Sequence, residues 1–275
     1  MREIVLTVKR TLNVPLECLE ISPNFFAGKS LDQIQAMEIW EGNRRNRLED
    51  IFYVKEENGT ASDELTVRIV GDASRIRKIG YCMKEGSISV EGNAGMYLGE
   101  QMSAGSITVS GDAGAWLGSR MTGGAIEVKG NAGDFVGSSY RGSTKGMKGG
   151  TIIVQGNAGT EVGCWMRNGT IRIKGSSAMF PGMHMNNGTI YIENDCAGRA
   201  GAQMTGGRVI IGGYVPAILP SFNIEEVRER VKVGEEKIPG PFYVFTGDLN
   251  ENGNGKLFIN VAKNPHLKWC EEYLG

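Results

Sequence analysis

Through the middle of this chain, short bursts of alternating apolar and polar residues return every 19 residues. The unit reads SISVEGNAGMYLGEQMSAG at 87–105, SITVSGDAGAWLGSRMTGG at 106–124 and AIEVKGNAGDFVGSSYRG from 125. It continues as TIIVQGNAGTEVGCWMRNG at 151–169, TIRIKGSSAMFPGMHMNNG at 170–188 and TIYIENDCAGRAGAQMTGG at 189–207, after a degenerate copy, TVRIVGDASRIRKIGYCMKEG, at 66–86. Each unit opens on an I-x-V step, the period of two that marks a strand with one buried face. A G-N/D-A-G turn follows, built from residues that tolerate positive φ. Then come an apolar residue with glycine, a methionine and a closing glycine.

Stacking such units places like on like. Ile88, Ile107, Ile126, Ile152, Ile171 and Ile190 make one expected inner row. Val90, Val109, Val128, Val154, Ile173 and Ile192 make a second, and Met83, Met102, Met121, Met147, Met166, Met185 and Met204 a third. The expected fold is all-β: a right-handed parallel β-helix of about seven 19-residue coils, handed like other parallel crossovers, with α/β caps at both ends. Residues 1–65 would form the N-terminal cap, 66–213 the repeats and 214–275 the C-terminal cap. In the first cap, MREIVLTVKR, Ile51–Lys55 and Leu65–Val70 read as strands, and Ser30 to Gln33 as a capping box opening a short helix. Residues 208–213 begin an eighth coil before VPAILP breaks the pattern. Asn223–Val231 reads as a helix, and Phe242–Thr246 and Lys256–Val261 as strands flanking a glycine-rich turn. One unit is longer than the rest, which places an extra loop at 138–144; solenoid insertions emerge on one face, often a binding face.

Composition narrows the function classes. Thirty of the 41 glycines lie within 66–207, so the excess belongs to the repeats and not to a linker. With 30 basic and 31 acidic residues the formal charge is −1, and no basic field argues for nucleic acid or an anionic membrane. No run approaches the roughly 18 apolar residues of a membrane span, and the N-terminus is no signal peptide. Five scattered cysteines without a CxxC suggest free thiols in a reducing cytoplasm.

The search for chemistry is mostly negative. Only His184 and His266 are present, too few for a multi-histidine metal site or a serine triad. His184 is expected at the surface. His266 and Cys270 share an i, i+4 spacing but lack further ligands. Ala27-Gly-Lys-Ser30 lacks the upstream glycine of a phosphate loop, because that position is Pro23. DLNENG at 248–253 starts like a calcium loop, but its twelfth position is Ile259, so a hairpin turn is favoured. The methionine row reads as core filler. The row Asp72, Asn93, Asp112, Asn131, Asn157 and Asp195 reads as stacked turns and not as a calcium ladder. Outward strand positions vary freely, which argues against a polysaccharide-cleaving groove or an ice-binding array. No catalytic, cofactor-binding or metal-binding residue is assigned. The candidate partner contacts are Arg44, Arg45 and Arg47, the densest basic cluster, and Tyr140 and Arg141 on the inserted loop.

The unit G-x-x-M-x-x-G-x-I-x-V-x-G, as in Gly99–Gly111 and Gly118–Gly130, resembles the C subunit of formylmethanofuran dehydrogenase. It also resembles the C-terminal β-helix domain of the large subunit of glutamate synthase, which leaves an assembly module of an amidotransferase as the alternative. The flanks ISPNFFAGKSLDQI (21–34), EGNRRNRLEDIF (41–52), LPSF (219–222) and FTGDLNENGNGKLFI (245–259) resemble the first family, so that likeness runs over nearly the whole chain. Asn194 in the seventh copy and Pro181 in the sixth depart from the pattern locally. The resemblance implies a non-catalytic scaffold subunit of a complex that reduces CO2 with reduced ferredoxin and forms N-formylmethanofuran, the first step of methanogenesis. It implies partners of three kinds: an amidohydrolase-like subunit with a dinuclear metal site, formate-dehydrogenase-like subunits with tungsten- or molybdenum-pterin, and ferredoxin-like iron–sulfur subunits. No cofactor is expected on this chain itself.

Overall fold

The computed structural model describes residues 2–57 and 64–274. The N-terminal part carries β1 (Glu3–Val8), β2 (Leu16–Glu17), β3 (Glu38–Glu41), β4 (Arg44–Arg47) and β5 (Phe52–Glu57). Short helices α1 (Pro23–Phe26), α2 (Leu31–Gln35) and α3 (Leu48–Ile51) lie between them. The repeats supply β6 (Thr66–Val70), β7 (Ile76–Arg77), β8 (Ser87–Glu91), β9 (Ser106–Val109), β10 (Ala125–Val128) and β11 (Lys148–Val154). They continue with β12 (Asn168–Ile173), β13 (Thr189–Ile192) and β14 (Arg208–Ile211). The chain finishes with β15 (Asn223–Val233), β16 (Glu236–Gly247), β17 (Gly255–Asn260) and a 3-10 segment, Pro265–Tyr273.

These strands form one 13-stranded mixed sheet in the order β15-β16-β17-β14-β13-β12-β11-β10-β9-β8-β6-β1-β5, and a 4-stranded sheet in the order β4-β3-β2-β7. From β1 to β17 the large sheet is parallel, one strand per repeat. Its ends are antiparallel, β5 on β1 and the β15–β16 pair on β17. The right-handed parallel β-helix of about seven coils expected from the period is therefore corrected to a wide mixed sheet. Apart from β7, regular strand lies around the opening of each repeat. The rest holds left-handed residues, such as Trp116 at φ 59° and Gly118 at φ 60°, which a strand cannot accommodate. There the neighbours meet through single-residue parallel bridges, from Ala73 through Ala94, Ala113, Ala132, Ala158 and Ser177 to Cys196, and through further backbone hydrogen bonds such as the Gly118 amide to the Leu98 carbonyl at 2.8 Å.

The in-register rows follow the expected pairing: Ile107 opposite Ile88 and Ile126, and Val109 opposite Val90 and Val128. All seven row methionines are fully buried. From Asn93 on, turns are also tethered one to the next through the Asn/Asp row. Asn93 Oδ1 accepts from the Asp112 amide at 2.9 Å, Asp112 Oδ1 from Asn131 at 2.7 Å, and Asn131 Oδ1 from Asn157 at 2.9 Å. These oxygens are taken up by backbone donors, which accounts for the residue type without an ion.

The ends differ from expectation in one element. Asn223–Val231, expected as a helix, is the body of strand β15, paired antiparallel with β16. The C-terminal end is thus strands and 3-10 turns, not an α/β cap. The N-terminal capping box is present, with Ser30 Oγ accepting from the Gln33 amide and Gln33 Oε1 accepting from the Ser30 amide. At the β16–β17 turn, Asp248 is buried and accepts from the Gln203 amide at 2.9 Å and the Asn250 amide at 3.1 Å. DLNENG is a hairpin turn pinned to the last repeat. Asn264, fully buried, accepts from the Val215 amide at 2.8 Å and donates to the Gly213 and Asn260 carbonyls at 2.9 and 2.8 Å.

Candidate subunit interface

Among the described residues, no three His, Cys, Asp or Glu side chains converge as metal ligands. His184 is half-buried, not a plain surface residue: its ring lies flat on Trp165 with centroids 4.1 Å apart, and burial lowers its pKa. His266 packs near Tyr214 instead, at 5.1 Å. Burial pushes the thiols of Cys18, Cys196 and Cys270 up, and that of Cys164 up to about 12, so none is set up as a nucleophile. An apolar cleft of about 450 Å³ lies at the C-terminal end between Phe222, Ile224, Phe245 and Trp269.

Two surface patches hold the residues singled out in the sequence. Arg44, Arg45 and Arg47 lie on β4, the edge strand of the small sheet. Arg45 reaches Glu38 at 3.4 Å and lies over the Trp40 ring, which is 46% exposed; Arg47 reaches Glu49 at 3.4 Å. These exposed pairs contribute little to stability. The patch is therefore a partly neutralised edge, not a concentrated cationic surface.

The second patch is not visible in the charges. Each repeat holds a non-glycine residue in the left-handed region at one fixed place, occupied in turn by Lys78, Tyr97, Trp116, Phe135, Glu161, Phe180 and Arg199. Three successive aromatics stack there: Tyr97 on Trp116 at 5.1 Å and Trp116 on Phe135 at 4.5 Å, both near parallel. The inserted loop returns over this ladder. Tyr140, 52% exposed, lies 6.5 Å from Tyr97, and the Arg141 guanidinium is 5.9 Å from the Phe135 ring. The structure thus brings Tyr140 and Arg141 together and keeps them on a different element from Arg44–Arg47. Charge and ligand patterns in the sequence miss the aromatic ladder, although its signal is there: AGMYLG, AGAWLG and AGDFVG carry an aromatic at the same place in three consecutive units.

Beside the ladder, Glu100 is buried. Burial pushes its carboxyl above the usual range, against the pull of Lys78 and Arg120 and with a small push from Glu17. A carboxyl with a folded pKa above its unfolded one holds its proton more tightly in the fold. Its stabilising contribution is complete below the ordinary carboxylate range and is lost as pH rises through it to the raised value. Glu100→Gln should therefore be at least as stable as the parent at pH 7, with a flatter stability profile between about pH 4 and 7. Urea unfolding at both pH values checks this, and a variant clearly weaker at pH 7 would mean the carboxylate is held by its cationic neighbours.

No protein-family model matches the chain. Over 98 residues, 36% of this chain and 33% of the relative, it is 39% identical to the C subunit of the molybdenum-containing formylmethanofuran dehydrogenase 1 of Methanosarcina barkeri. Over 99 residues it is 44% identical to the C subunit of the tungsten-containing formylmethanofuran dehydrogenase 2 of Methanothermobacter wolfeii, covering 36% and 37% of the two. The match thus spans about a third of the length of these curated relatives. By structure, the chain is similar to one in the formyltransferase/hydrolase complex of Methylorubrum extorquens, solved with methylofuran: TM-score 0.81 and 28% identity, over 93% of this chain and 99% of that one. The chain is a homologue of the C subunits of both metal types.

Proposed function

We propose that this chain is the non-catalytic scaffold subunit of a formylmethanofuran-dehydrogenase complex, with 66–213 as its rigid stack and 1–65 and 214–275 as the ends. The observation that carries the reading is the structural likeness over nearly the whole of both chains, joined to about 40% identity with these C subunits in one stretch. The complex would reduce CO2 with electrons from reduced ferredoxin at a tungsten- or molybdenum-pterin centre. It would then form N-formylmethanofuran at a dinuclear metal site. Pterin-binding, iron–sulfur and amidohydrolase-like subunits would carry those centres in the cytoplasm. This chain would contribute no reacting group, only fixed spacing between them. Arg44, Arg45, Arg47, Tyr140 and Arg141 are its proposed contacts.

A second reading is favoured by the solved relative, which comes from a formyltransferase/hydrolase complex. The same scaffold would then serve an assembly that transfers and hydrolyses formyl groups without reducing CO2. Native mass spectrometry of the assembly purified from its own cells through a tag on this chain separates the two. Co-purifying pterin-binding and iron–sulfur subunits support the first, and formyltransferase and amidohydrolase-like subunits alone support the second. A chain that purifies alone would sink both.

A further inference from the structure

Large side chains at left-handed backbone positions are costly, on the order of 1–3 kcal/mol each. Glycine would relieve that cost, yet Tyr97, Trp116 and Phe135 occupy three consecutive such positions at φ 63°, 59° and 67°. The indole N–H of Trp116 adds to the cost, being buried without an acceptor. The left-handed place itself recurs in every repeat; what sets this stretch apart is that three successive repeats fill it with aromatics that stack on one another. The flanking charges say what is recognised. Some repeat arginines are held within the chain: Arg68 meets Glu3, Glu57 and Glu91, and Arg172 meets Glu193 and Glu236. Arg120, four residues beyond Trp116 in the same turn, attracts the buried Glu100 carboxyl, but neither it nor Arg141, over Phe135, forms a close ion pair among the described residues. An aromatic ladder edged by two guanidiniums held in no close ion pair has the composition of an interface centre, and its charge calls for carboxylates.

We propose that the ladder Tyr97–Trp116–Phe135, with Tyr140, Arg141 and Arg120 around it, receives a carboxylate-bearing segment of another subunit of the complex. This rests on the scaffold reading. The aromatic faces take the apolar part of that segment. The two guanidiniums take its Asp or Glu side chains. The inserted loop at 138–144 forms one wall of the seat, which gives the longer repeat its purpose.

The test replaces Tyr140 in the tagged chain by the photo-cross-linker p-benzoylphenylalanine, in cells that assemble the native complex. After irradiation the expected product is a cross-link to one peptide of another subunit that contains Asp or Glu. In parallel, R120E/R141E should weaken binding of that subunit about tenfold or more, while Y53A, an exposed aromatic on β5, leaves it unchanged. An intact complex in which position 140 cross-links nothing, only a second copy of this chain, or a peptide without acidic residues overturns the proposal and leaves the scaffold reading standing. Unchanged binding by R120E/R141E also overturns it. A chain that purifies alone overturns both.

Discussion

Gly118→Val is expected to destabilise the protein by about 2–5 kcal/mol, a large fraction of the stability of a typical domain. Two costs combine. Gly118 has φ +60°, a region that costs an L-residue roughly 1–2 kcal/mol. In addition, a Cβ there would lie 2.4 Å from Cδ1 and 3.3 Å from Cγ1 of Ile152, a buried residue two repeats on. Overpacking of this kind typically costs roughly a further 1–3 kcal/mol. Gly142→Val separates the two. Gly142 has φ +80° but nothing within 4 Å of its Cβ position, so only the backbone cost remains. Urea midpoints should therefore fall far more for Gly118→Val. Equal losses would mean that contact between repeats does not set the cost.

Asn264→Ala should cost about 3–5 kcal/mol. Asn264 is fully buried and its side chain satisfies the Val215 amide and the Gly213 and Asn260 carbonyls together. Removing it orphans three buried backbone groups, each worth on the order of 1–3 kcal/mol and not fully additive. The break falls where the last repeat meets the C-terminal hairpin. The control is Asn194→Ala, an exposed residue whose side chain makes one 3.3 Å bond, to the Lys174 carbonyl, and it should lie within about 0.5 kcal/mol of the parent. If Asn264→Ala behaves like that control, the C-terminal segment is not fastened through this amide.

How far these features are legible in the sequence depends on which interaction decides each one. Burial recurring at a fixed spacing is written in residue type, so the Ile, Val and Met rows and the Asn/Asp tethers can be read directly. The architecture cannot. A 19-residue period says that units stack; the backbone angles between strands decide what they build, and those angles are set by local turns at ordinary residues such as Tyr97 and Arg120. Strand β15 misleads for another reason. Ile224, Val227 and Val231 fall at helical spacing among Glu and Arg, residues with fair helix propensity. Pairing along β16, from Asn223–Thr246 to Val233–Glu236, overrides that preference. The aromatic patch is hidden because charge clusters point to Arg44–Arg47 instead. The ladder is invisible until successive repeats are laid side by side.

The antiparallel strands at both ends carry a consequence for length. β5 closes one side of the parallel run and the β15–β16 pair the other, so no bare parallel edge is left to recruit a further strand. The number of repeats is thereby frozen, and with it the distance between the two ends. Each duplication or loss of a unit would move those ends by one strand spacing, about 4.8 Å. The chain is in effect a ruler graduated in repeats, and its length could be tuned in evolution only in whole steps.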